Sequence, residues 1–136
     1  MSIKLPASAE NYLETILVLQ QRNGTVRSID IVNELSFTKP SVSVAMKNLR
    51  QSGMIDVDAG GYITLLDEGL IIAEKIYERH TILTEWLIQL GVPAQIADED
   101  ACKIEHVISP ESFLAIKNQF QETPKRDRRD LPSHLL

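Results

Sequence analysis

Cys102, Glu105 and His106 stand at i, i+3 and i+4 within the run Asp98-Glu99-Asp100-Ala101-Cys102-Lys103-Ile104-Glu105-His106-Val107. On a helix, that spacing aims a thiolate, a carboxylate and an imidazole at one point. Together they offer half of a transition-metal coordination shell. Taken alone, the same residues also fit a packed small cysteine beside a solvated Glu-His face. Two other positions add weight to the metal reading. His80 falls on the apolar stripe of a long predicted helix, where a neutral imidazole needs a polar partner. Glu14 follows Asn11 by three residues on the first predicted helix and has apolar neighbours, and a carboxylate near a core requires a cation or must protonate.

Upstream, residues 37–49 read as a DNA-recognition helix. Thr38 or Lys39 caps it, because Pro40 fits only a first turn, and Val42, Met46 and Leu49 at i, i+4 and i+7 supply the buried face. Lys39, Ser41, Ser43 and Lys47 are left to face DNA, with Pro40 beside them and Thr38 placed to reach a phosphate. An ordinary solvated face is the competing reading. The formal net charge is −5. Through Thr64, however, Lys4, Arg22, Arg27, Lys39, Lys47 and Arg50 balance Glu10, Glu14, Asp30, Glu34, Asp56 and Asp58, so the deficit lies in the C-terminal half. From Leu35 to Ile55 there is no acid at all. That is a modest basic surface, suited to a few phosphate contacts per subunit. A metal site behind a DNA reader implies a metal-sensing transcription factor.

The elements that must position these groups follow from periodicity and turn residues. A first helix starts near Ser8 and ends at Asn23-Gly24, with Leu13 and Leu17 on its core face. A second runs from about Ser28 to Ser36 and has Ile31 at the capping-box position, so its cap is ordinary. The recognition helix stops at Gly53. Met54-Ile55-Asp56-Val57 and Tyr62-Ile63-Thr64-Leu65 flank Gly60-Gly61 as a hairpin. From Asp67 a long helix carries Leu70, Ala73, Ile76, Tyr77, His80, Leu83, Leu87 and Leu90 on one stripe. A fifth helix spans about Ala94 to Ile108, and Ser109-Pro110-Glu111 opens a sixth that reaches about Phe120. The tail beyond Glu122 is polar.

The predicted fold class is therefore mostly α: an N-terminal winged helix-turn-helix with a small β-hairpin wing over residues 1–65, then an all-helical metal-binding and dimerisation domain with a polar tail over 66–136. A helix this long in so small a chain packs against a partner subunit as well as its own domain. Ile108, Phe113, Leu114 and Phe120, with Leu83, Trp86 and Leu87, are the expected homodimer contacts. A chain of 136 residues, 43% hydrophobic, holds one full core or two small ones and has no room for a large catalytic domain. One cysteine excludes an internal disulfide, and no apolar run reaches the roughly 18 residues of a membrane span. The expectation is a cytoplasmic protein that is not an enzyme, takes no small-molecule substrate and binds no membrane.

The chain resembles the family of the diphtheria toxin repressor and the manganese transport regulator, metal-dependent winged-helix repressors of bacteria. Four motifs over residues 8–120 carry the resemblance: Glu10-Asn11-Tyr12-Leu13-Glu14-Thr15-Ile16, Lys39-Pro40-Ser41-Val42-Ser43, Glu78-Arg79-His80 and Ala101-Cys102-Lys103-Ile104-Glu105-His106-Val107. The resemblance implies a metal-ligand set of Asn11, Glu14, His80, Cys102, Glu105 and His106. It also implies a homodimer that represses metal-homeostasis genes from palindromic double-stranded DNA. Asn11 offers an amide oxygen where the iron branch usually has Met and the manganese branch Asp. Cys102 is similar to the iron branch and Glu14 to the manganese branch, while Thr84 and Asp98 stand where the iron branch carries second-site ligands. The implied metal is Fe(II) or Mn(II), with Co(II) or Zn(II) able to bind in vitro, since thiolate and imidazole favour the softer ions. A winged-helix regulator whose Cys102 and His80 are structural is the first alternative. A small metal-dependent hydrolase is the remote one, and the chain has no nucleophile motif for it.

Overall fold

The computed structural model describes residues 5–122, and the polar tail beyond Glu122 lies outside the described residues. The element order is α1 (Ala7–Asn23), α2 (Ser28–Leu35), α3 (Lys39–Gln51), β1 (Ile55–Val57), β2 (Ile63–Leu65), α4 (Asp67–Gln89), α5 (Ala94–Ile104) and α6 (Pro110–Glu122). The chain forms two compact units that divide after Ile76, inside α4.

In the first unit each helix boundary has a local cause. Gly24, at φ 83°, closes α1 by donating its N–H to the Gln20 carbonyl at 2.8 Å. The N-cap of α2 is Arg27, one residue earlier than the sequence pattern predicts, so the third helical position falls on Asp30. The Asp30 carboxylate accepts the Arg27 N–H at 2.8 Å, which makes this cap stronger than expected. Ser36 ends α2 in the left-handed region, at φ 57°. Thr38 then caps α3: its Oγ1 accepts the Ser41 N–H at 3.3 Å, and Pro40 fits the first turn.

The hairpin pairs Ile55 with Leu65, Asp56 with Thr64 and Val57 with Ile63. Ile63 also donates its N–H to the Val26 carbonyl at 2.8 Å, which fastens the wing to the segment before α2. Leu13, Ile16, Ile31, Val42, Ile55 and Ala73 fill the core, so all three helices, the wing and the start of α4 share it. Each large aliphatic side chain contributes about 1.5–3 kcal/mol there. Gly69 lies so close to Met54 that a Cβ would overlap the Met54 carbonyl oxygen. That same carbonyl accepts the Leu66 N–H at 2.9 Å.

The second unit gathers Ile82, Leu83, Ala101 and Phe113, with Trp86, Ile104, Ile108, Ile116 and Phe120 packed around them. Two members of the predicted α4 stripe are misplaced. Tyr77 is 38% exposed and Leu90 is 63% exposed. Leu90 lies past the helix end, and it is Arg79, rather than Tyr77, that turns inward. The fifth helix ends at Ile104, four residues short of the predicted Ile108, for a reason given below. Ser109 starts α6 by accepting the Ser112 N–H on its hydroxyl at 3.1 Å. Among the described residues no helix is long and apolar enough to cross a membrane.

Candidate metal centre and nucleic-acid interface

In the second unit two consecutive residues of α4 hold one residue of the α5 terminus. Arg79 is buried and donates from Nη1 to the carbonyls of Glu105 at 3.2 Å and Ile108 at 3.1 Å, with its guanidinium 5.4 Å from the Phe113 ring centroid. Beyond Ile104 the chain runs into a turn in which Val107 and Ile108 both donate to the Ile104 carbonyl, and Arg79 takes the Glu105 and Ile108 carbonyls that helix continuation would otherwise use. Cys102 thus lies on the helix, Glu105 forms its cap and His106 stands just past it.

Glu105 is fully buried, an exceptional position for a carboxylate. Its Oε2 is 2.8 Å from His80 Nδ1, and its Oε1 is 3.3 Å from His106 Nε2. Oε1 has no hydrogen-bond partner among the described residues. A buried carboxylate whose one oxygen has only this longer ion-pair contact takes a cation, either an imidazolium or a metal ion. The donor set around it, a carboxylate and two imidazoles, is that of a first-row transition metal.

His80 is bracketed, because its Nε2 lies 2.7 Å from Asp98 Oδ1. With both nitrogens protonated, the ring donates to two carboxylates. If a metal took one of these nitrogens, the other would keep donating to its carboxylate, which would fix the ring's tautomer and orientation. The family resemblance places Asp98 where the iron branch carries a second-site ligand, and the sequence gives no hint of its pairing with His80. Cys102 is exposed. The described residues bring neither its sulfur nor the His106 imidazole into a mutual 4.8 Å cluster with two other candidate ligands. In the first unit, Glu14 is a buried carboxylate on the core side of α1, and Asn11 is half-buried, its carbonyl accepting the Thr15 hydroxyl at 2.8 Å.

The outward face of α3 presents Lys39, Pro40, Ser41, Ser43 and Lys47 to solvent. Thr38 is exposed as well, but its hydroxyl donates to Ser41 Oγ at 2.8 Å while capping the helix. The Ser41 hydroxyl hydrogen is left to reach outward. The sequence reading passed over two further features. Val44 is 59% exposed on this helix. Arg27, the N-cap of α2, stacks over the ring of the wing's Tyr62, 5.1 Å from its centroid, and donates to the Gly60 carbonyl at 2.8 Å. An Arg-x-Tyr pairing across 35 residues leaves no local periodic signal.

Comparison with known proteins agrees with this division of labour. Residues 4–60 match the N-terminal DNA-binding domain of iron-dependent repressors, and residues 66–133 match the metal-binding and dimerisation domain of the same proteins. The transcriptional regulator MntR of Escherichia coli is 32% identical over 108 residues, covering 79% of this chain and 70% of that protein. An uncharacterized HTH-type transcriptional regulator of Methanocaldococcus jannaschii is 30% identical over 112 residues, covering 81% of this chain and 90% of that one. A manganese-dependent transcriptional repressor solved in complex with manganese shares the fold at a TM-score of 0.77 and 23% identity, covering 85% of this chain and 53% of that one. The chain thus spans about half the length of that structure.

Proposed function

Because the chain belongs to the iron-dependent repressor family, a family of DNA-binding regulators rather than enzymes, we propose that it is a metal-dependent transcriptional repressor acting as a homodimer on palindromic operators. Residues 1–65 read DNA, and residues 66–136 bind metal and dimerise. The observation that carries the metal reading is the buried Glu105 carboxylate, held between His80 and His106 with one oxygen lacking a hydrogen bond.

His80, Glu105 and His106 are the proposed central ligands, with Cys102 on the adjoining turn. Asn11 and Glu14 are proposed to complete the set, a reading supported by the family resemblance and by the burial of the Glu14 carboxylate. The bound ion supplies positive charge that neutralises these carboxylates. Asp98 orients His80, and Arg79 fixes the backbone of Glu105. Fe(II) or Mn(II) is the proposed physiological ion, acting in the cytoplasm. On the DNA side, Lys39, Ser41, Ser43 and Lys47 face the groove, with Thr38 and Pro40 at the helix start. A twofold axis sets two such helices about 34 Å apart, one helical turn of DNA. Of the expected homodimer contacts, Leu83 and Phe113 are buried in the second unit's own core with Trp86, Ile108 and Phe120 packed around it, because the helices of one chain already cover them, so exposed Leu114, with Ile96 and Val107, supplies the proposed contacts with a second copy.

The test is anaerobic DNA binding on an operator selected in vitro, with Mn(II), Fe(II), Co(II) or Zn(II) added and bound metal counted in the same samples. A coupling of about 1–3 kcal/mol predicts a metal-induced rise in affinity of about 5- to 150-fold. DNA affinity indifferent to every ion would leave a winged-helix regulator with another signal.

A further inference from the structure

Val42, Met46 and Leu49 define the buried side of α3. At 100° per residue these three cluster about one direction, and Val44, two residues after Val42, points almost opposite to it. Its 59% exposure agrees. At the centre of the helix's outward face this β-branched side chain sets a small apolar surface among polar neighbours. Its neighbours on that face are Pro40, one turn earlier, and the polar Lys47 and Asn48, one turn later. The segment is free of acid, so the backbone of a duplex meets no like charge there.

We infer that Val44 is a specificity-determining residue, whose methyl groups pack on the 5-methyl group of a thymine in the major groove. Among base edges in that groove only thymine presents an apolar group, and a short aliphatic side chain is its complement. Lysine and serine at the rim hold the helix on phosphates, which fixes register without reading sequence. Val44 then reads through contact alone, without a hydrogen bond, so it discriminates against a missing methyl more than against a changed donor.

The inference rests on the DNA-binding reading above, and its test separates the two. An operator is selected from random duplexes with the metal-loaded protein, and each thymine is then replaced singly by deoxyuridine, which removes only the methyl. For the unmodified protein, one position per half-site should lose affinity, about 4-fold for one half-site and about 15-fold for both, the worth of about 0.8 kcal/mol per buried methyl-sized group. Val44→Ala should abolish that sensitivity at the same position while leaving the salt dependence of binding unchanged. Val44→Thr, which keeps one methyl, should retain part of it. Uniform indifference to deoxyuridine, half-sites without a fixed thymine, or equal sensitivity in Val44→Ala would each overturn the inference while leaving repressor function intact. Failure to select any operator would count against the DNA-binding reading itself. Because Val44 makes no core contact, circular dichroism of the variants should match the parent.

Discussion

Arg79 and Glu105 meet through the backbone: the guanidinium donates to the Glu105 carbonyl at 3.2 Å, while the next residue, His80, takes the Glu105 carboxylate at 2.8 Å. One turn of α4 thereby grips both ends of the same residue. The buried carboxylate is held by its main chain as well as by its side chain, so its position survives a change of partner on the carboxylate side.

Arg79→Met keeps the bulk but removes both carbonyl contacts. Urea unfolding should show a loss of about 2–4 kcal/mol, the worth of charge-assisted hydrogen bonds whose acceptors are left buried. Metal affinity should fall with it. Unchanged stability would mean that water replaces the guanidinium without cost.

Asp98→Asn leaves a weaker acceptor beside His80. Metal affinity measured by direct titration should drop about 10- to 100-fold, the usual effect of removing a carboxylate that orients a ligating imidazole. At saturating metal, DNA affinity should return to that of the parent. A metal affinity equal to the parent's would remove Asp98 from the centre.

His106→Ala should abolish metal-dependent DNA binding while the protein stays folded by circular dichroism. Cys102→Glu should shift preference from softer ions toward Mn(II), because a carboxylate replaces a thiolate. A normal metal response from His106→Ala would place the switch elsewhere.

Lowering the pH should weaken metal binding. Protons compete with metal for imidazole nitrogen, and an ordinary histidine takes up its proton below about pH 6.5. Metal titrations at pH 5.5 and 7.5 would check this, with tighter binding expected at the higher pH.

Lys47→Ala should weaken operator binding and reduce the slope of log affinity against log salt by about 0.9, the signature of one lost phosphate contact. An unchanged slope would take Lys47 off the interface.

Much of this architecture was legible because it is local. Thr38 and Pro40 mark the start of α3, Gly24 the end of α1, and the alternation around Gly60-Gly61 marks the wing. Spacing drew attention to Glu105 and His106, although the spacing argument assumed a helix that in fact stops at Ile104. What stayed hidden depends on contacts between distant residues. Nothing near Ile108 in the sequence announces that Arg79 will capture its carbonyl, and nothing near Asp98 announces His80. The α2 cap was missed by a single residue, which moved the third position from Asp30 to Ile31.

Gly69 has a mechanical meaning. With no room for a Cβ against the Met54 carbonyl, the first turn of α4 is keyed into the base of the wing, and Met54 in turn donates its N–H to the Leu49 carbonyl of α3. The same unbroken helix carries Arg79 and His80 ten and eleven residues further on. The joint between the wing and the first turn of α4 therefore has no play, and the smallest residue in the chain is what removes the slack.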